Sequence, residues 1–254
     1  MTTSNGVRAV LFVFGGTLGY DEPGFAEGFA TLVSAMGYPA DRQRYHEAGE
    51  KARERLPEAP REVGPWLVWR KDYHRQIIRL LGVPDDDLER VAQTVAERLR
   101  YYTRAYAYPD SPYTLRCLRK AGYVVGVISN IAPALPLVLD ELGLSRHLHF
   151  AIASETFGAE KPDRRIFEEG LRQAGVAAHQ AMYVGDSIEA DVMGAAPLGI
   201  HPVLIDRSGT VQHREGELRD RYGALRITNL TQLLDHLGVQ LWADEALHDV
   251  APSR

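Results

Sequence analysis

Polar side chains follow the ends of several predicted strands in the second half of this chain. They supply a hydroxyl, an amide, an ammonium and two carboxylates, on Ser129, Asn130, Lys161, Asp186 and Asp191. Active sites of open parallel sheets lie beyond the carboxyl ends of the strands, so these residues are candidates for one site. Hydroxyl and ammonium groups bind phosphate oxygens, and carboxylates bind metal ions. Together they would support phosphoryl transfer or a related displacement.

The elements that must position these side chains alternate between strand and helix after about residue 107, which indicates a parallel sheet with crossover helices. Continuous apolar runs predict strands that are covered on both faces. These runs lie at 123–128, 149–153, 181–184 and 202–205. Helical patterns separate them at about 111–121, 132–142, 163–174 and 188–197. The predicted fold class is therefore α/β, with a doubly wound parallel-sheet core.

Residues 19–106 show no convincing strand and contain amphipathic runs such as 24–33 and 88–95. Pro57, Pro60 and Pro65 should divide the middle of this segment into separate helices. We therefore expect a core formed by 1–18 and 107–238, with a helical domain at 19–106 inserted after the first strand. The tail at 239–254 mixes apolar residues with acids, and either a docked helix or a frayed terminus is consistent with it.

The first strand and its glycine turn carry a motif. Residues 10–18 read Val-Leu-Phe-Val-Phe-Gly-Gly-Thr-Leu. This stretch resembles the first motif of the haloacid dehalogenase-like (HAD) hydrolases, in which an apolar run precedes Asp-x-Asp-x-Thr. Val13 stands where that family has its nucleophilic Asp, and Gly15 stands where its phosphatases have an acid/base Asp. The resemblance extends over about residues 1–238 and implies a Rossmann-like core with an inserted helical cap.

The resemblance also implies roles for the other candidates. Ser129 and Asn130 match the family's phosphate-binding Ser/Thr motif, and Lys161 matches its lysine. Gly16 and Thr17 lie in the turn whose backbone N–H groups would hold phosphate oxygens. The metal ligands implied are Asp186, Asp191 in a supporting role, and the backbone carbonyl of Gly15.

Val13 removes the attacking atom, because an isopropyl group can neither attack phosphorus nor ligate a metal. Loss of the nucleophile should abolish both the phosphatase and the dehalogenase reaction, since both begin with attack by that Asp. Without a carboxylate at position 13, we expect Asp186 to pair with Lys161 and Mg²⁺ to bind only weakly. Asp and Val codons can differ by one base, so an acquired or accidental substitution is an alternative to a natural valine.

Two functions remain open on the sequence. One is a HAD-like hydrolase by descent, acting on small phosphate esters or related anions, with catalysis lost or much weakened. The other is a non-catalytic anion-binding or regulatory module on the same scaffold. In both cases the expected ligand is a small anionic or phosphorylated molecule.

Each candidate also has a purely structural interpretation. Ser129, Asn130, Asp186 and Ser187 could cap helices, and Lys161 could be a solvated loop residue. Asp191 could face solvent from its helix. In the helical segment, one group could line the cleft or could be cap core with a surface arginine: Trp66, Trp69, Arg70 and Tyr73.

Composition excludes several classes of protein. The net charge of −5 gives no reason to expect nucleic acid as a partner. No apolar window approaches the length of a membrane helix, and the first six residues do not resemble a signal peptide. The single cysteine, Cys117, fits a reducing compartment and lies in an apolar helical pattern that predicts a packed thiol. A cytoplasmic protein of open oligomeric state is expected.

Overall fold

A computed structural model describes residues 6–58, 60, 63–102 and 104–239, so the predicted tail at 239–254 lies outside the described residues from 240 onward. The strands are β1 Ala9–Phe12, β2 Gly19–Glu22, β3 Arg104–Ala107, β4 Val124–Ser129, β5 Phe150–Ala153, β6 Ala181–Gly185, β7 His201–Ile205 and β8 Leu225–Ile227. The first six helices are α1 Phe25–Ala35, α2 Arg42–Arg55, α3 Val63–Leu80, α4 Asp85–Tyr102, α5 Ser111–Lys120 and α6 Leu135–Glu141. They are followed by α7 Ser154–Phe157, α8 Arg164–Ala174, α9 Met193–Ala195, α10 Glu215–Tyr222 and α11 Thr231–His236.

Six strands form one parallel sheet in the order β5-β4-β1-β6-β7-β8. β1 lies in the middle of the sheet, and all four of its residues are buried. Its Phe12 is in register with Val127 of β4 on one side and with Val184 of β6 on the other. The predicted α/β fold with a doubly wound, Rossmann-like core is confirmed.

The four predicted strands after residue 107 are confirmed as β4 to β7, and the helices predicted at 111–121, 132–142 and 163–174 as α5, α6 and α8. The helix predicted at 188–197 is instead a π-helical turn, Ile188–Val192, followed by the short α9 and a 3₁₀ turn. The prediction of no strand within 19–106 is wrong at its two ends, where β2 and β3 pair. Their sequences, Gly-Tyr-Asp-Glu and Arg-Ala-Tyr-Ala, contain no apolar run.

Two compact units divide the chain, one formed by residues up to Gly19 and from Ala107 onward, the other by Tyr20–Tyr106. The second unit contains α1 to α4 around an apolar core that includes Phe29, Ile77 and Val91. Pro65 does not break a helix but lies in the first turn of α3, where its missing N–H costs no hydrogen bond.

No helix among the described residues is long and apolar enough to cross a membrane. Cys117 is a buried free thiol, as predicted. The cytoplasmic location stays a prediction.

Candidate functional site

The ends of three neighbouring strands bring the candidate residues to one edge of the sheet. Val13 follows β1, and its N–H donates to the carbonyl of Val184 in β6 at 3.0 Å. Ser129 ends β4, and Asp186 follows β6. Val13 is 7% exposed. A hydrocarbon side chain therefore stands at the carboxyl end of the central strand.

The glycine turn after β1 uses most of its own hydrogen-bonding groups. The Gly16 N–H donates to the Gly19 carbonyl at 2.9 Å, and the Thr17 N–H donates to the Phe14 carbonyl at 3.3 Å. The expectation that both N–H groups would hold phosphate oxygens is therefore wrong in this conformation. Gly15 is exposed, and its N–H has no acceptor among the described residues. One backbone donor of this turn is thus open to a ligand.

Gly16 is required for two reasons. Its φ of +72° lies in the left-handed region that favours glycine. A Cβ at this position would also overlap the carboxylate of Asp186. The turn after β1 and the carboxylate after β6 are therefore packed directly against each other.

Lys161 is buried rather than solvated, and its ammonium donates to two partners. The Nζ atom donates to Oδ1 of Asp191 at 2.5 Å and to the hydroxyl of Tyr183 at 2.8 Å. Tyr183 donates in turn to the Ile128 carbonyl at 2.8 Å. The predicted pairing of Lys161 with Asp186 is therefore wrong. The alternative of a solvated loop lysine is wrong as well, since only 2% of the side chain is exposed.

Burial decides the electrostatics of this pair. Desolvation lowers the pKa of Lys161, and the adjacent Asp191 carboxylate opposes that shift. Desolvation also raises the pKa of Tyr183 well above its ordinary value. Tyr183 therefore stays a neutral hydroxyl, and the lysine charge is balanced inside the protein rather than offered to a ligand.

Asp191 faces inward because of the π-helical turn. Its Oδ2 accepts from the Ser187 N–H at 2.9 Å, so both carboxylate oxygens are used. A Cβ on Gly185 would overlap the Asp191 carboxyl group. The solvent-facing interpretation of Asp191 is wrong. The capping interpretation is correct for Ser187, whose Oγ accepts from the Ala190 N–H at 3.0 Å.

Asp186 remains exposed and forms no ion pair with Lys161. Its pKa is raised first by desolvation against the glycine turn and then by the charge of Asp191, while Lys161 opposes the shift. Thr17 lies close enough to lower this pKa, yet its buried hydroxyl has no partner with good hydrogen-bond geometry. Asp186 is thus a carboxylate without a strong partner at the edge of the site.

Asn130 holds Lys161 in place. Its Oδ1 accepts from the Lys161 N–H at 2.8 Å, and its Nδ2 donates to the Lys161 carbonyl at 2.9 Å. Its side-chain amide is therefore used by the protein. Ser129 is 3% exposed, and its Oγ meets the Phe14 N–H only at 3.5 Å, the outer limit for a hydrogen bond. Neither residue caps α6, which begins five residues beyond Asn130.

Few oxygen atoms of the described residues remain to coordinate Mg²⁺. No group of three or more His, Cys, Asp or Glu side chains suited to a metal occurs among the described residues. Asp191 is committed to Lys161 and Ser187, which leaves the Asp186 carboxylate and the carbonyl of Gly15. Mg²⁺ is usually held by one or two carboxylates together with waters and substrate oxygens, so these two groups fit only a weak site that a bound ligand would complete.

Arg207 and Tyr183 are two supporting residues that the sequence did not reveal. Arg207 follows β7, donates to the Thr17 carbonyl at 2.7 Å and forms an ion pair with Asp110 at 2.9 Å. Its position two residues after the end of an apolar strand was a signal that could have identified it. Tyr183 lies within an apolar strand, where an aromatic residue is ordinary core, so no signal pointed to its hydroxyl.

Comparison with known proteins identifies the family of this chain. The sequence pattern of the family described as haloacid dehalogenase-like hydrolase matches residues 7–199, from before β1 to the end of the acidic segment after β6. The chain belongs to the HAD-like hydrolase family.

Relatives of this HAD-family chain include two named proteins. It is 36% identical over 138 residues to haloacid dehalogenase-like hydrolase domain-containing protein 3 of Mus musculus, a match that covers 54% of this chain and 55% of the relative. It is 32% identical over 160 residues to a glyceraldehyde 3-phosphate phosphatase of Methanopyrus kandleri, a match that covers 63% of this chain and 68% of that protein. The chain thus spans little more than half the length of the mouse relative.

Solved structures of HAD proteins share the fold. A HAD phosphatase from Thermococcus onnurineus aligns with a TM-score of 0.63 at 25% identity, covering 93% of this chain and all of the other. A 2-haloacid dehalogenase from Pseudomonas syringae pv. Tomato aligns with a TM-score of 0.66 at 24% identity, covering 91% of this chain and 98% of the other. The second likeness is one of fold alone.

Proposed function

We propose that this HAD-family chain has lost nucleophilic catalysis and acts as a binding protein for a small phosphate ester or related anion. The observation that carries the proposal is Val13, a hydrocarbon at the carboxyl end of the central strand. Two phosphatases among the relatives, named for glyceraldehyde 3-phosphate and phosphoserine, support the ligand class.

The missing carboxylate removes the covalent step. A phosphatase of this kind would use the first Asp to form an aspartyl ester and a second carboxylate to protonate the leaving group. Val13 and Gly15 supply neither group. Loss of a nucleophile in a serine hydrolase cost about a millionfold in turnover, and we expect a loss of similar order here.

The remaining residues favour binding over turnover. The open N–H of Gly15 and the hydroxyl of Ser129 can donate to an anion, whereas the charge of Lys161 is already balanced by Asp191. Asp186 carries a negative charge beside the same turn and repels an anion. We therefore expect weak binding at neutral pH, which would strengthen when Asp186 is neutralised.

The proposal is tested by restoring the carboxylates. Val13→Asp and Val13→Asp/Gly15→Asp variants are assayed with p-nitrophenyl phosphate and Mg²⁺ beside the unaltered protein and a Val13→Asn control. Asn has the shape of Asp but no nucleophilic oxygen, so it separates a packing effect from chemistry. We expect turnover from an Asp variant only, at least about a hundredfold above the Asn control.

Two results would speak against the proposal. Turnover by the unaltered chain equal to that of the Asp variants would mean that position 13 does not carry the nucleophile. Equal activity in the Asn variant would mean that the gain came from repacking. If every variant is silent while inorganic phosphate still binds to the Asp186→Asn form, the regulatory binding module is favoured over a recently disabled enzyme.

A further inference from the structure

The strand β5 is attached to β4 by a histidine side chain as well as by its backbone. The His149 N–H donates to the Val125 carbonyl at 2.8 Å. The Val125 N–H donates in return to Nδ1 of the His149 ring at 2.9 Å. Two hydrogen bonds of opposite direction therefore join these residues, and one of them needs a ring nitrogen as its acceptor.

The imidazole takes the place of a missing length of strand. β5 begins only at Phe150, and the chain shortly before it forms a 3₁₀ turn, Ser145–His147. In a parallel ladder, the N–H groups of one strand donate to backbone carbonyls of its neighbour. Where β5 has not yet begun, Nδ1 of His149 provides the acceptor for β4 instead.

This hydrogen bond fixes the protonation state of the ring. A backbone N–H can only donate, so Nδ1 carries a lone pair and the proton of the neutral ring lies on Nε2. Nδ1 also lies 3.3 Å from the Val125 carbonyl, but that oxygen already accepts the shorter bond from the His149 N–H. A proton added to Nδ1 therefore leaves the Val125 N–H without its acceptor.

Water does not offer Val125 an alternative acceptor. Val125 is 0% exposed, whereas His149 itself is exposed. Protons from solvent can therefore reach the ring, while the N–H that depends on the ring is shielded. A buried backbone N–H without a partner is costly, so protonation of His149 weakens the attachment of β5.

The surroundings of the ring oppose its protonation. Desolvation lowers the pKa of His149 from its ordinary value of 6.5, the positive charge of Arg119 in α5 lowers it further, and the hydrogen bond to the Val125 backbone opposes the shift. Other ionisable groups on α5, on α6 and in the 3₁₀ turn are not among the charges that shift this pKa: Arg116, Lys120, Asp140, Glu141, Arg146 and His147. The folded protein thus binds this proton more weakly than the unfolded chain does. The stability that the neutral ring contributes is complete above pH 6.5 and is lost as pH falls from 6.5 through the lowered pKa.

β5 is well placed for a local release. It is a strand of four residues at one end of the strand order. The ring of Phe150 fills the space beside Gly126, where a Cβ would overlap it. At the other end of β5, the Oγ of Ser154 accepts from the Ile131 N–H at 3.1 Å. The start of β5 can therefore loosen while its far end and the centre of the sheet stay in place.

We propose that His149 is a pH-sensitive latch on the edge strand: its neutral ring holds the start of β5 against β4, and a proton on Nδ1 releases it. The released segment is local, because β1, β6 and β7 take no part in the contact. The proposal does not rest on the function proposed above, since neither His149 nor Val125 belongs to the candidate site.

Hydrogen exchange of single backbone amides tests the latch. Protection factors, which correct for the pH dependence of intrinsic exchange, are measured by ¹H–¹⁵N NMR on the full chain from pH 5 to pH 7. Phe12 is the internal reference, because it lies in β1 at the centre of the same sheet and reports global unfolding. The Cε1–H resonance of His149 reports the protonation of the ring over the same range.

Three variants separate the ring from its charge. His149→Asn offers a side-chain amide oxygen near the position of Nδ1 and does not titrate. His149→Leu removes the acceptor at every pH. His213→Asn is the matched control, because His213 is an exposed histidine in a different 3₁₀ turn, Gln212–Arg214.

We expect the protection of Val125, relative to that of Phe12, to fall at least about tenfold from pH 7 to pH 5 in the unaltered chain and in His213→Asn. The fall should be absent in His149→Asn, and His149→Leu should show low Val125 protection at both pH values. Constant Val125 protection in the unaltered chain would overturn the proposal whether or not the variants fold. So would an equal fall in His149→Asn, full protection in His149→Leu, or a loss at Val125 that only follows the loss at Phe12.

Discussion

At the scale of single residues, position 13 carries a nonpolar side chain, and the charge of Lys161 is balanced by the carboxylate of Asp191. Lys161 and Asp191 satisfy each other, with Tyr183 and Ser187 completing their hydrogen bonds. Asp186 has no strong hydrogen-bond or ion-pair partner among the described residues. Desolvation and the charge of Asp191 raise its pKa. Removing that charge should therefore be favourable for the folded state.

We expect Asp186→Asn to raise the melting temperature at pH 7. A carboxylate whose pKa is raised by folding binds its proton more tightly in the native state, so it costs stability above that pKa. The advantage of the Asn variant should shrink as pH falls through the raised pKa and vanish below 3.8, the ordinary value. Thermal unfolding from pH 3 to pH 7 measures this. A gain that is constant across that range would mean that charge is not the cause.

Gly185 should not tolerate a methyl group. A Cβ there would overlap the Asp191 carboxyl group, which is fixed by Lys161 and the Ser187 N–H. Gly185→Ala should lower the free energy of unfolding by about 1–3 kcal/mol, as overpacking does. Gly216→Ala is the control, because α10 leaves open space there and alanine favours helix. Urea unfolding that ranks the two variants equally would contradict this account of the acidic pair.

At the scale of elements, the loop after β7 holds the turn after β1. Arg207 donates to the Thr17 carbonyl and pairs with Asp110, whose Oδ2 also accepts from the Leu230 N–H at 2.8 Å. Its guanidinium lies 3.7 Å from the ring centroid of Tyr108. Residues 17 and 108–110 are the stretches of chain on either side of the inserted helical segment. One arginine therefore ties both stretches to the sheet.

Removing this arginine should destabilise the protein more than removing a surface one. Arg207 and Asp110 are only 19% and 15% exposed, so Arg207→Gln leaves a shielded carboxylate without its cation, at a cost of about 2–3 kcal/mol. Arg165→Gln breaks an ion pair whose partners are 65% and 35% exposed and should cost less than about 1 kcal/mol. Chemical denaturation compares them. Equal losses would argue that the Arg207 contacts contribute no more than an exposed pair.

At the scale of the whole molecule, elements defined by burial could be predicted from the sequence. Contacts between residues distant in the chain could not. β4 and β6 were predictable because strands covered on both faces require continuous apolar runs. β2 and β3 were not, because neither contains an apolar run and each pairs with a strand far away in sequence, and β8 has only three residues. The partner of Lys161 was missed because the π-helical turn, which turns Asp191 inward, has no signal in the sequence. The grouping of Ser129, Lys161 and Asp186 could be predicted because active sites of open parallel sheets lie beyond the carboxyl ends of the strands.

We propose that this fold keeps the sheet edge of a HAD protein without a group that can form the phosphoenzyme. The most direct test is incubation of the unaltered chain with a ³²P-labelled phosphate ester, followed by acid quench and measurement of label on the protein and of released phosphate. We predict no labelled protein and no phosphate release above the buffer rate, with label trapped in Val13→Asp. A phosphoprotein formed by the unaltered chain, or release as fast as from the Asp variant, would contradict it.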